Sequence, residues 1–226
     1  MLGFRGPSCE DHYGQAALSV ILDYLSDTSI APLQRELVEI PDPFCSDIDC
    51  DVLEFLESAF IIRAENVSFG KLSAAKEKVK EVLGNLAEGR EVIDMDRLNV
   101  VIHRKILDTK NRFENRPHDT FADVLVRDFL YSTKSEDLKE RMEIIQRLEK
   151  LRQESVTFWV DFLKKYFISS RSVSVSTTLR NTIEFKRLRG CFNPLYSSIC
   201  THILLKRRIC LAIEGFFSCW SFPLFS

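Results

Sequence analysis

The chain has 226 residues, 45% of them hydrophobic and 28% charged, with 31 basic and 33 acidic side chains and a net charge of −2. That profile excludes a disordered, collagenous or coiled-coil rod, and a chain of this size removes roughly 70% of its unfolded surface from water on folding. A near-neutral balance also argues against a protein whose main partner is nucleic acid, because gripping phosphates requires a clustered basic face.

In chain order, residues 3–5 read as a strand that Gly6-Pro7 terminates, with Ser8 placed to cap a helix over residues 9–25. Ala17, Val20, Ile21, Tyr24 and Leu25 recur at three- and four-residue steps, so that helix has one face for burial. A second helix over 31–39 is stopped by Pro41 and Pro43. From Ser46 the period falls to two: Ile48, Cys50, Val52 and Phe55 point one way, Asp47, Asp49 and Asp51 the other. A second strand over 60–67 follows the short Glu57-Ser58 connection, so an antiparallel hairpin is expected.

The remainder is helical. Leu72, Ala75, Val79, Val82, Leu83 and Leu86 form the stripe of a helix over 71–88, which Gly89 ends. Met95, Leu98, Ile102 and Ile106 mark a helix over 94–114, and Phe121, Val124, Leu125 and Phe129 another over 117–131. Ser135 is expected to cap one continuous helix carrying Leu138, Met142, Ile145, Leu148 and Leu151. Trp159, Phe162, Leu163, Tyr166 and Phe167 give an aromatic stripe, and Val173 with Val175 a last short strand. The expected fold class is α+β: an antiparallel sheet flanked by helices, with a helical C-terminal half and a poorly structured tail.

The tail differs in kind. Residues 169–226 hold eight bases and two acids, a net of +6, whereas residues 1–168 carry 23 bases and 31 acids, a net of −8. Four of the seven cysteines (Cys191, Cys200, Cys210, Cys219) lie in this tail. Residues 1–175 are therefore expected to be the domain, and 176–226 a divergent basic, cysteine- and aromatic-rich tail that is not a domain of its own. The uncharged stretch 191–205 is too short for a transmembrane span. The first seven residues contain no apolar signal core. With an odd cysteine count, free thiols in an intracellular compartment, cytoplasmic or mitochondrial, are expected.

Motifs of chemistry are sparse. Asp47-x-Asp49-x-Asp51 opens like a calcium loop, but Val52 stands where the turn needs glycine and Ser58 where a bidentate Glu is needed. His12, His103, His118 and His202 are far apart in sequence, and neither H-E-x-x-H nor H-x-x-E-H occurs. Cys45 and Cys50 are spaced too widely for a zinc knuckle and read as packing thiols. No phosphate-cradling loop and no G-x-S-x-G elbow is present. No catalytic, cofactor-binding or metal-ligating residue is expected in this chain.

Several segments in order do carry a resemblance: Gly3-Phe4-Arg5-Gly6-Pro7-Ser8, YLSDTSIAPLQRELVE at 24–39, DPFCSD at 42–47, NRPHDT at 115–120 and DFLY at 128–131. Together they resemble the insulinase/pitrilysin superfamily of zinc metallopeptidases, and within it the presequence-protease-like branch. The resemblance implies an α+β domain of the kind that occurs four times around a peptide-cutting chamber. It matches the second, noncatalytic domain, so the zinc belongs to the parent family and no ligand or base carries over to this chain. The implied role is a noncatalytic domain, or truncated form, that packs beside a catalytic domain and lines the chamber, with that domain or an unfolded peptide as partner. The resemblance fades after Val175, and it places Met1 inside the domain's first strand, which is expected to leave an open sheet edge. The alternative is a stand-alone peptide- or protein-interaction module working through that edge. A third reading, a metal enzyme built on Asp47, Asp49 and Asp51 with a histidine, is weaker still.

Overall fold

The computed structural model describes residues 1–132 and 137–176. The chain divides into two units, Met1–Ser174 and Val175–Ser226, and every element below belongs to the first. The expected tail from residue 177 on lies outside the described residues, as does Ser135.

Four strands form one antiparallel sheet in the order β2-β3-β1-β4: β1 (Leu2–Ser8), β2 (Asp47–Leu53), β3 (Glu57–Glu65) and β4 (Val173–Ser174). The expected hairpin is present, with Asp47 opposite Glu65 and Leu53 opposite Ala59. Leu2, Phe4, Ile48, Phe60 and Ile62 turn to one face and are buried. Gly3, Arg5, Asp49, Asp51 and Arg63 alternate onto the other, as a period of two demands. Phe55 does not join the inward series: it sits beyond β2 in the hairpin turn and is exposed. β1 is an interior strand. The edge expected to lie open beside it is occupied by β4 across Leu2 and Gly3.

Gly6 and Pro7 do not terminate β1. The strand passes through them to Ser8 by a register irregularity against β3, and the Pro7 carbonyl accepts from Ser58 Oγ (2.7 Å) and Gln15 Nε2 (2.9 Å). Gly6 is needed for this passage, because a Cβ there would stand 2.4 Å from Ser58 Oγ and 3.2 Å from Leu18 Cδ2. Since the strand absorbs Ser8, the cap of α1 (His12–Ser26) moves to Asp11, whose carboxylate accepts from the Gly14 N–H at 2.8 Å.

Helices cover the buried face of the sheet. After α1 comes α2 (Pro32–Leu37), with Leu33 and Leu37 fully buried one turn apart. A short 3₁₀ turn (Phe69–Lys71) leads into α3 (Leu72–Ala87), which ends at Gly89, in the left-handed region at φ 74°. Asp94 caps α4 (Met95–Asn115) by accepting from the Arg97 N–H at 3.0 Å. Pro117 opens α5 (Pro117–Tyr131). The single helix expected next is two, α6 (Asp137–Met142) and α7 (Ile144–Leu151), because Glu143 leaves helical geometry at ψ 34°. The Arg147 guanidinium instead donates to the carbonyls of Glu140 and Arg141.

The aromatic stripe lands as expected, on α8 (Val156–Leu163) and the π-helical turn Lys164–Ile168 that continues it. Phe167 packs over Phe4 and Phe60 at centroid distances of 5.7 and 4.7 Å, and those two rings stack across β1 and β3 at 5.1 Å. Trp159 is fully buried, and its indole N–H meets no acceptor among the described residues. Trp159→Ala should lower unfolding free energy by about 3–5 kcal/mol. Trp159→Phe should cost about 2 kcal/mol or less, because it also removes a buried unpaired donor. Chemical denaturation of the two variants checks both values.

Candidate functional site

The sequence offered Asp47, Asp49 and Asp51 as its one candidate cluster, and the structure gives each carboxylate a partner within the sheet. Asp49 lies directly across from Arg63 and accepts from its Nη1 at 2.8 Å, while Arg63 Nη2 is 3.8 Å from Asp51. β2 is the last strand in the order, so its outer backbone groups have no strand beside them among the described residues. Asp47 Oδ1 accepts from the Ile48 N–H (2.8 Å) and Asp51 Oδ1 from the Val52 N–H (2.9 Å), while Gln34 Nε2 on α2 donates to the Ile48 carbonyl (2.9 Å). The alternation that looks like a cation loop is a charged, self-capped edge strand.

The histidines are not brought together. His12 is buried at the start of α1, His103 is exposed on α4, His118 is exposed on α5, and His202 lies outside the described residues. Among the described residues, no three His, Cys, Asp or Glu side chains gather closely enough to hold a metal ion. Cys9, Cys45 and Cys50 are free thiols. Burial, then the charge of Asp47, raises the Cys45 thiol above its ordinary value, and burial pushes Cys50 up to about 12. Neither is a thiolate nucleophile at neutral pH.

Two openings lie between helices. One, of about 280 Å³ between α1 and α4, is lined by two ion pairs, Lys105 with Asp23 and Arg104 with Asp27, and by Asp108. Its neighbour, about 200 Å³ among α1, α4, α5 and α7, is bounded by the Arg112–Asp123 pair (3.1 Å).

The surface that the sequence misplaced is α5. The stripe Phe121, Leu125 and Phe129 was expected to be buried with Val124; only Thr120 and Val124 are buried. Phe121, Leu125, Val126, Phe129 and Leu130 face outward, Phe129 with 89% of its surface exposed. The hairpin turn adds Phe55 and Leu56, also exposed, and is tied to α5 by Arg127–Glu54 (2.7 Å) and by Tyr131 Oη donating to the Glu54 carbonyl (3.3 Å). Spacing alone reports which residues share a face, not whether another element covers it. An apolar surface of this kind, rimmed by charges, is a feature of interaction sites. Phe129→Ser should leave the denaturation midpoint unchanged within about 0.5 kcal/mol of stability. Thermal scans of this variant should overlay the parent, and its binding of a hydrophobic dye should fall.

No family model matches the chain. It is similar to three curated, uncharacterized proteins: 26% identical over 177 residues to one from Saccharomyces cerevisiae, 30% over 155 residues to one from Caenorhabditis elegans, and 26% over 175 residues to one from Schizosaccharomyces pombe. These alignments cover 78%, 67% and 77% of this chain, which spans about a sixth of the length of those relatives, 15–17%. Among solved structures, the inactive peptidase domain of a proposed zinc protease from Bordetella parapertussis superposes with a TM-score of 0.60 at 11% identity, over 80% of this chain and 92% of that one. A proposed zinc protease from Bordetella pertussis gives 0.58 at 11% identity, over 78% and 92%. A protease from Helicobacter pylori gives 0.59 at 21% identity, over 76% of this chain and 38% of that one. The fold of residues 1–176 is the fold of those peptidase domains.

Proposed function

We propose that this chain is a noncatalytic, peptidase M16-like domain of an insulinase/pitrilysin-type zinc metallopeptidase, of the presequence-protease-like branch, packing beside a catalytic domain and lining the chamber where unfolded peptides are cut. The observation that carries this reading is the match to the inactive peptidase domain, in which one fold unit accounts for 80% of this chain and 92% of the other. The relatives support it from a second side, since a segment that fills about a sixth of a longer protein has other domains to pack against. The resembling segments 3–8, 24–39 and 42–47 fall on β1, on the end of α1 with α2, and on the approach to β2. They are the parts that build the sheet and its first helical cover.

The division of labour follows from chemistry. Hydrolysis of a peptide bond by this class needs a metal to polarise the carbonyl and activate water, and here the zinc belongs to the catalytic partner. The contribution of this chain is surface. The open face of the sheet, with Asp49, Asp51 and Arg63, is a partly acidic wall for the chamber, and the outward apolar side of α5 is where a neighbouring domain of the same longer protein packs. The proposed setting is intracellular, cytoplasmic or mitochondrial.

The exposed apolar side of α5 favours a second reading, a peptide- or protein-interaction module without enzymatic activity. The purified chain incubated with an unfolded reporter peptide and equimolar zinc should release no fragment that a chelator suppresses. Zinc-dependent, chelator-sensitive cleavage would defeat both readings. Saturable peptide binding by the isolated chain, without turnover, would favour the second over the first.

A further inference from the structure

Between Phe121 and Leu130, α5 turns five apolar side chains to solvent, and the hairpin turn tied to it adds Phe55 and Leu56. These seven residues are between 43% and 89% exposed. They offer on the order of 700 Å² per copy, near the ~800 Å² that each partner contributes to an interface of standard size. The charges among them are already answered within the chain. Asp123 is 3.1 Å from Arg112, Arg127 is 2.7 Å from Glu54, and Asp128 is 3.6 Å from Arg141. A body laid on this side therefore removes water from carbon and leaves no charge buried alone.

The surface is also self-complementary. Phe121, Leu125 and Phe129 stand at four-residue steps, and this row reads the same in both directions about Leu125. Beside it runs a second row, Ala122, Val126 and Leu130, whose exposed alanine leaves a notch between the two. Helices whose four-residue rows interdigitate cross at about −50°. When the two helices belong to copies related by a two-fold axis through Leu125, Phe121 of each comes beside Phe129 of the other, and Leu125 meets Leu125. An isologous contact requires that one patch fit itself in this way. A row with one bulky end and one small end would not.

We infer that this chain pairs with a second copy of itself through α5, the two helices antiparallel and Leu125 on the two-fold axis. The reading above gives the same side of α5 to a neighbouring domain of a longer protein. The inference goes beyond it and concerns what that side does when this chain is alone in solution. A dissociation constant on the order of 10 μM suits an interface of this area whose one strongly protruding anchor is Phe129, so in dilute thermal scans and dye assays the chain is monomeric and α5 is open.

Sedimentation velocity of the full chain from about 1 to about 200 μM tests this. The mass should rise from the 26.1 kDa of one chain to twice that value. Leu125→Glu and Leu125→Lys each set like charges against each other on the axis, and each should weaken pairing at least about tenfold. Their circular dichroism should stay that of the parent, since Leu125 is half exposed. Mixed in equal amounts, the two variants should pair again, because only then do opposite charges meet. Val100→Glu, on the exposed side of α4, should pair as the parent does. Recovery on mixing identifies the second copy as the occupant of this side. A parent that stays at 26.1 kDa at the highest concentration, association that Leu125→Glu leaves intact, or a mixture that stays monomeric overturns the inference. Each of those results leaves the neighbouring-domain reading standing, to be decided by the cleavage assay above.

Discussion

Phe4, Phe60 and Phe167 make the contact on which the rest of this structure rests. The first two rings stack across neighbouring strands, and the third presses down on both from the π-helical turn after α8. The contact joins residues 4, 60 and 167, so one cluster closes almost the whole described chain and brings β1, β3 and the last helix into register. Closing loops that long costs entropy that only slowly increases with length, and three large rings removed from water are suited to offset it. With that face of the sheet committed, α1 and α3 can add Leu18, Ile21, Val82 and Leu86 to the same core.

Committing one face defines the other. Strand alternation carries Asp49, Asp51 and Arg63 to the uncovered side, where cross-strand charge pairing satisfies them. The result is a domain with a packed side, a charged sheet face and an apolar helix face. In the role proposed above, the charged sheet face would turn toward the cavity and the apolar helix face toward a neighbouring domain.

Much of the fold is legible in the sequence because hydrophobic periodicity is a local signal. The hairpin of β2 and β3, the stripe of α3 and the aromatic run through Phe167 all followed from it. Three readings failed where a distant partner decides the outcome. Gly6-Pro7 looks like a strand terminator until Ser58, 51 residues on, supplies a hydroxyl to the Pro7 carbonyl. One continuous helix after Ser135 looks sound until Arg147 draws off two carbonyls and the backbone turns at Glu143. The α5 stripe looks like core because amphipathicity is identical whether the covering element is present or belongs to another domain. Alternation places the carboxylates of β2 on one exposed strand face, as read from the sequence, but does not name the cross-strand Arg63 that pairs with Asp49.

The edge of β2 has a consequence for how this protein meets other chains. With Ile48 and Val52 already supplied by the carboxylates at Asp47 and Asp51, and the Ile48 carbonyl by Gln34, a foreign strand has little backbone to zip onto. Strand addition at this margin is therefore opposed at Ile48 and Val52, where the side chains of the strand and of α2 already hold the backbone.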